Sequence, residues 1–368
     1  MEQRRGAVEM LVTPPVQRLN DWTGRRVFLT GHTGFKGSWL ALWLHQLGAE
    51  VTGFALPPPT DPSLFDAAGI GELVHHVEGD IRDLAAVRAA MAAARPEIIF
   101  HLAAQPLVRL SYDEPVETYA TNVMGTVHVL EAARQIGGVK AAVCITTDKC
   151  YENREWVWPY RETDPMGGHD PYSSSKGAAE LVISAYRRSF FEQGPALASV
   201  RAGNVIGGGD WAADRLIPDL VRAFEQGVAP AIRAPDAVRP WQHVLEALGG
   251  YLMIADRLIA GDRTIADAWN FGPADEDARP VSWIVARLQA AWGNATDPVP
   301  FTGAVPHEAG LLRLDCSKAR ALLGWRPSLP LPDALDWIVD WHRTVGAGGD
   351  ARAITLHQIA EYRARAGL

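Results

Sequence analysis

The sequence predicts an α/β fold, a doubly wound parallel sheet with a smaller C-terminal lobe. Three observations carry this expectation. Short apolar runs alternate with segments of helical period through roughly the first 200 residues. The first of these runs enters a glycine-rich turn that leads straight into a helix. After about residue 204 the alternation loosens, and Gly207-Gly208-Gly209, Pro235 and Pro240 mark loops. Strands separated by helical crossovers return to the same end of a sheet and so pair in parallel.

Taken in order, residues 26–30 read as the first strand. Residues 38–47 read as a helix, with Leu40, Trp43, Leu44 and Leu47 at helical spacing. A second strand covers 51–55 and is stopped by Pro57-Pro58-Pro59. Residues 74–77 form a third, leaving through Gly79-Asp80. An Ala-rich helix follows over 84–94, then a fourth strand at 98–102. A long helix is expected from 115 to 133 and a fifth strand from 141 to 147. Another long helix spans 172–190, and a sixth strand 196–200. Beyond them, helices are expected near 215–226, 244–259, 282–292 and 331–344.

Bulk properties exclude several function classes. A formal charge of -8 argues against nucleic acid as a partner. No run is long enough to span a bilayer. Cys144, Cys150 and Cys316 are an odd set without metal-ligand spacing. They point to reduced thiols, a cytoplasmic location and no metal site. Residues 1–20 carry Arg4-Arg5 but no apolar core of a signal peptide, and read as a loose extension.

The turn after the first strand reads Gly31-His32-Thr33-Gly34-Phe35-Lys36-Gly37. Glycines at this spacing let backbone N–H groups approach a pyrophosphate at a helix N-terminus. A dinucleotide site is therefore expected at Gly31, Thr33, Gly34, Phe35 and Gly37. His32 and Lys36 read as solvent-facing. The second strand ends in Phe54-Ala55-Leu56, with neither the acid that holds an NAD ribose nor a base for NADP. These residues leave the choice of cofactor open. Asp80 could accept from the adenine amino group with Ile81 against the ring, or Asp80 could simply open a loop.

The fifth strand runs into Thr146-Thr147-Asp148-Lys149-Cys150-Tyr151. Tyr172 and Lys176 lie four apart at the start of a helix, on one face. A neighbouring ammonium and a bound nicotinamide would favour the phenolate, making Tyr172 a base for a sugar hydroxyl. A simple dehydrogenase has no need of Asp148 and Lys149 beside that pair.

With these residues in view, the chain resembles the nucleotide-sugar branch of the extended short-chain dehydrogenase/reductase superfamily. It is most similar to the CDP-glucose 4,6-dehydratases. The resemblance rests on residues 101–109 (HLAAQPLVR), 121–126 (TNVMGT), 146–153 (TTDKCYEN) and 168–172 (GHDPY). It continues through 201–211 (RAGNVIGGGDW), 238–244 (VRPWQHV) and 269–272 (WNFG), and covers roughly 25–345. It implies a Rossmann-like dinucleotide-binding domain over residues 21–203 and a mainly substrate-binding lobe over 204–345. The lobe leaves room for strands or helices returning to the first domain. Residues 346–368 would be a tail.

The resemblance also implies NAD as a retained cofactor and CDP-glucose, or a similar nucleotide sugar, as substrate. Tyr172 would take the C4 hydroxyl proton, Thr147 would bond the C4 oxygen, and Lys176 would hold the nicotinamide ribose. Asp148 would protonate the departing C6 hydroxyl before hydride returns to C6. Many sugar-nucleotide dehydratases have Glu after this Asp as the C5 base. Lys149 stands there instead, either as that base, as a cation beside the enolate, or in a salt bridge with Glu152 or Asp148. The backbone of Leu102, Ala103 and Ala104 would border the cofactor, and Gln105 the sugar. Asn204 and Asn270 would contact hexose or phosphate, with Arg239 and Arg215 on the diphosphate. In the family the helices near 115–133 and 172–190 pair between subunits, so a homodimer with a four-helix bundle is expected. Their apolar positions are Val116, Tyr119, Val123 and Val127, and Leu181, Val182 and Ala185. The alternatives are a dehydratase for another nucleotide sugar and a 4-epimerase, which would need no acid at position 148. A non-catalytic dinucleotide sensor would have no use for Tyr172 and Lys176.

Overall fold

The apolar runs pair side by side, as their near-continuous hydrophobicity requires of strands covered on both faces. In the computed structural model, which describes residues 18–293, 296–303 and 310–368, they form one seven-stranded sheet. The strands are β1 (Arg26–Thr30), β2 (Glu50–Ala55), β3 (His75–Glu78), β4 (Ile98–His101), β5 (Ala141–Ile145), β6 (Ala196–Ala202) and β7 (Ala268–Phe271). Their order is β7-β6-β5-β4-β1-β2-β3, and every pairing is parallel. The order reverses between β1 and β4. The crevice beyond the C-terminal ends there is where open α/β sheets bind ligands.

The crossover helices are α1 (Phe35–Gln46), α2 (Leu84–Ala94), α3 (Pro115–Tyr119), α4 (Gly125–Ile136) and α5 (Pro171–Ser189). Between α3 and α4 a π-turn, Ala120–Met124, interrupts the helix expected over 115–133. The π-turn carries Asn122, whose amide donates to the Gln105 carbonyl and the Ser175 hydroxyl. The rest of the chain supplies α6 (Leu216–Gln226), α7 (Val244–Ile259), α8 (Val281–Trp292), α9 (Leu331–Gly346) and α10 (Ala351–Ala366).

Two of these later segments belong to the sheet layer. β7 extends the sheet beyond β6, and α7 is buried nearly end to end against it. The sequence reading named no element after residue 345, yet α10 packs on α1 there, with Tyr362 edge-on to Trp43. Its anchor is the buried Glu246 of α7, which accepts from the Tyr362 hydroxyl at 2.9 Å and from the Ser328 and Leu329 backbone N–H groups. The extension expected over 1–20 lies outside the described residues up to 17. Of the rest, Asn20 bonds Asp256 of α7 through its backbone and its side chain.

Candidate active site

The glycine turn follows from close packing. Gly31 has φ +77°, and a Cβ there would lie 2.7 Å from the Ala103 nitrogen, so only glycine fits between β1 and the chain leaving β4. A Cβ on Gly37 would fall on the Gly31 carbonyl. Gly34 caps α1 without any side-chain hydrogen bond to its first N–H groups. The Thr33 hydroxyl donates to the Leu56 carbonyl at 2.9 Å and ties the turn to the end of β2. Leu102, Ala103 and Ala104 run half-buried beside it. Asp80 is held by Arg82, whose Nε lies 2.8 Å away, and Ile81 is buried under α4 at Gly125.

The reading of His32 and Lys36 as solvent-facing is corrected. His32 is fully buried and shares a 2.7 Å hydrogen bond with His76. Burial, with His76 beside it, pushes its pKa down to about 3 and keeps the ring neutral. Lys36 is half-buried in the wall of the cleft described below. Burial pushes its ammonium down to about 8, helped by Arg215 and Lys176 and opposed by Asp148 and Asp210.

β5 delivers the reactive groups. Thr147 caps a single 3-10 turn, Asp148–Cys150, by accepting from the Lys149 N–H. Its Oγ also donates to Asp148 Oδ1 at 2.9 Å. Asp148 is buried, and its Oδ2 has no hydrogen-bond partner among the described residues. That oxygen abuts Gly203 so closely that a Cβ there would collide with the carboxylate. Gly203 was not singled out from the sequence; its signal was a glycine directly after an apolar strand. Lys149 lies half-buried in the cleft wall.

α5 delivers Tyr172 and Lys176 from its first turns, capped by Asp170 on the Ser173 N–H. Both side chains are buried. Burial pushes Tyr172 up to about 12, Thr147 pulls it back through a hydrogen bond, and Asp148 adds to the rise. The protein alone therefore holds a neutral phenol, and a phenolate needs the added positive charge of a ligand. Burial lowers Lys176 to about 8, and its Nζ bonds the Ile145 carbonyl at 3.4 Å.

One turn further along α5, Glu180 accepts from Thr146, Ser199 and Arg201, the last at 2.8 Å. Burial opposes its charge, yet Arg201 and the two hydroxyls hold its carboxyl below the usual range. Arg201 passes the network to Tyr151, which donates to Asn270 Oδ1 at 2.7 Å. These bonds join α5 to the ends of β5, β6 and β7 directly beneath the reactive groups. A buried pair of this kind is costly to leave half-made, about 3–5 kcal/mol.

The cleft above has a volume of about 480 Å3 and takes Lys36, Thr147, Asp148, Lys149 and Tyr172 into one wall. Asn204, Arg215 and Arg239 also line it. Arg215 pairs with Asp210 at 2.8 Å, and Arg239 donates to the Val238 and Gly310 carbonyls. Two expectations are corrected here. Asn270 is fully buried away from the cleft, its amide spent on Tyr151, Tyr160 and Asp315. Gln105 has its side chain folded onto the Leu107 backbone and the Thr118 hydroxyl rather than presented to a ligand. The reading also passed over Arg109 and Asp214, which meet at 2.8 Å on the rim. Their pairing spans 105 positions, so no local pattern announces it.

A profile of the GDP-mannose 4,6 dehydratase family matches residues 28–336. The chain belongs to this family. Within it, a CDP-glucose 4,6-dehydratase of Salmonella typhimurium is 55% identical over 349 residues, covering 93% of this chain and 97% of that one. A dTDP-glucose 4,6-dehydratase of Streptomyces antibioticus is 28% identical, covering 86% and 92%. Among solved structures, dTDP-glucose 4,6-dehydratase of Bacillus anthracis in complex with NAD shares the fold. It has a TM-score of 0.75 and 21% identity, covering 89% of this chain and 99% of that one. UDP-glucose 4-epimerase of Thermus thermophilus, also in complex with NAD, has a TM-score of 0.74 and 25% identity, covering 86% and 99%.

Proposed function

We propose that this chain is a CDP-glucose 4,6-dehydratase, converting CDP-glucose to CDP-4-keto-6-deoxyglucose and water with NAD as cofactor. The observation that carries this reading is a buried acid, Asp148, bonded to Thr147 beside Tyr172. An epimerase needs Thr147, Tyr172 and Lys176 but no acid there. The 55% identity to the Salmonella typhimurium enzyme supports CDP-glucose among the nucleotide sugars.

The glycine turn suits a dinucleotide, because its missing side chains leave the α1 N-terminus open to a pyrophosphate. Gly31, Thr33, Gly34, Phe35 and Gly37 would hold the phosphates. Asp80 and Ile81 would border the adenine, and residues 102–104 with Lys176 the nicotinamide ribose. When bound, NAD supplies reversible oxidation at C4 and reduction at C6. The chain's own residues do the rest. Tyr172 takes the C4 hydroxyl proton, and Thr147 bonds the C4 oxygen. The 4-ketone acidifies the C5 proton, which Lys149 removes; after exchange with solvent, Lys149 delivers a proton back to C5. Asp148 protonates the departing C6 hydroxyl. Arg239 and Arg215 grip the diphosphate, whose charge a guanidinium matches in bidentate fashion, and Asn204 contacts the hexose.

We further infer a homodimer built on α3, α4 and α5 and their symmetry mates as a four-helix bundle. Val116 at 82% exposure and Leu181 at 63% support it, being large apolar side chains on neighbouring helices. Three buried free cysteines suit the reducing cytoplasm. No helix among the described residues is long and apolar enough to cross a membrane. The deciding assay incubates the protein and NAD with CDP-, dTDP-, UDP- and GDP-hexoses in deuterated water, with products read by NMR. CDP-glucose should yield a 4-keto-6-deoxy sugar carrying deuterium at C5. Simple inversion at C4 would reject the dehydratase assignment.

A further inference from the structure

The reactive groups stand on two separate supports. Tyr172 and Lys176 belong to α5, while Asp148 and Lys149 belong to the 3-10 turn beyond β5. The dehydratase reading, on which this inference rests, needs both sets around one hexose. The supports differ in firmness. α5 has 19 residues and buries one face. The turn has three residues, and its own hydrogen bonds are long. The Lys149 N–H lies 3.3 Å from the Thr147 hydroxyl oxygen, and the Cys150 N–H lies 3.4 Å from the Thr147 carbonyl. The turn is therefore placed by its surroundings more than by itself.

One buried pair, Glu180 and Arg201, brackets it. Glu180 lies on α5, four residues past Lys176. Its Oε1 accepts from the Thr146 hydroxyl at 2.5 Å, at the entrance of the turn. Its Oε2 accepts from Ser199 and from Arg201, both at 2.8 Å. Arg201 also donates at 2.7 Å to the Tyr151 hydroxyl, at the exit of the turn. Thr146, Tyr151, Glu180 and Arg201 are all buried. Backbone bonds tie the entrance to β6 and the exit to residues 165 and 167. The side-chain bracket ties both ends to the helix that carries Tyr172. Stability alone does not account for it, because a buried ion pair is often replaceable by apolar residues without loss.

We propose that the Glu180–Arg201 pair is a positioning device, setting the turn that carries Asp148 and Lys149 against the helix that carries Tyr172 and Lys176. Glu180, Arg201 and Thr146 lie behind the cleft wall rather than in it, so the pair acts through the residues it holds. The turn is the softer support. Loosening the bracket therefore displaces Asp148 and Lys149 first, and elimination suffers before the oxidation at C4.

The test combines steady-state kinetics with CDP-glucose, the absorbance of reduced nicotinamide during turnover, and a thermal melt. Thr146→Val removes one strut and leaves no buried charge unpaired. It should lower kcat about tenfold with KM within about twofold, since the loss falls on reacting geometry and not on grip. The fraction of enzyme holding reduced cofactor should rise, because oxidation now outruns elimination. Thr146→Ser keeps the hydroxyl and should keep kcat. Glu180→Gln combined with Arg201→Met removes both charges together. That protein should melt near the unaltered one, yet show the same slow turnover and raised reduced fraction. A double variant with both its melting temperature and its kcat intact overturns the proposal, as does a Thr146→Val enzyme with full kcat. So does a Thr146→Val loss that is carried by KM, is shared by Thr146→Ser, or leaves the reduced fraction level or lower. If the double variant does not fold, the two Thr146 variants decide. Failure of the underlying reading shows differently: the unaltered enzyme would then form no 4-keto-6-deoxy product at all.

Discussion

Asp148 shows how one side chain can be legible in a sequence while its environment is not. An acid next to Thr147 at a strand end marks extra chemistry. What lets that carboxyl sit buried is Gly203, which lies 55 positions away at the end of β6 and leaves the carboxylate its space. Gly203→Ala should displace Asp148 and cost about 1–3 kcal/mol of stability through overpacking. Misplacing a reacting group by about 1 Å should lower kcat about a hundredfold. Steady-state kinetics beside a thermal melt checks this. A variant that loses stability but keeps its kcat would show that Asp148 does not need this position. Lys36 was misread for the related reason that sequence spacing does not say which way a residue in a tight turn points. Gln105 and Asn270 were misread because an amide suits a ligand and a neighbouring backbone equally well. In the fold, nearby internal partners took both.

Among elements, the strands and crossover helices were legible to within about three residues, apart from the π-turn that breaks the helix expected over 115–133. β1 and α7 have the bounds expected of them, because apolar run length and helical period are local properties. β7 and α10 went unread. The first is only four residues, and the second buries too few apolar residues to show a clear stripe. α10 is docked instead through Tyr362 and Glu246. Burial raises the Glu246 carboxyl to about 7, despite the opposing Ser328, Leu329 and Tyr362 hydrogen bonds. A folded-state pKa above the unfolded value means that the folded chain binds more protons. This contribution to stability is full below the unfolded pKa and is lost as pH climbs through about 7. The melting temperature should therefore fall between about pH 5 and about pH 8, and Glu246→Gln should remove part of that fall. Equal slopes in the two proteins would place the pH dependence elsewhere.

At the scale of the whole molecule, the exposed apolar side chains of α3 and α5 bear on assembly. Val116 and Leu181 stand out where a solvated helix face would carry charge. Leu181→Glu should halve the mass seen by sedimentation equilibrium from two chains to one, with the far-UV spectrum unchanged. A single-chain mass before any substitution would dismiss the bundle. The sequence by itself determined the strand order of reading, the glycine turn, and the meeting of Thr147, Asp148, Tyr172 and Lys176 beyond one strand end. These follow from local periodicity and from the rule that parallel strands share their C-terminal edge. Only the tertiary structure decided which polar groups face the cleft and which are consumed inside. It also decided which carboxylate oxygen, Asp148 Oδ2, is left without a hydrogen-bond partner among the described residues. Those outcomes depend on neighbours brought together from distant β6, β7 and α5, and no pattern along the chain encodes them.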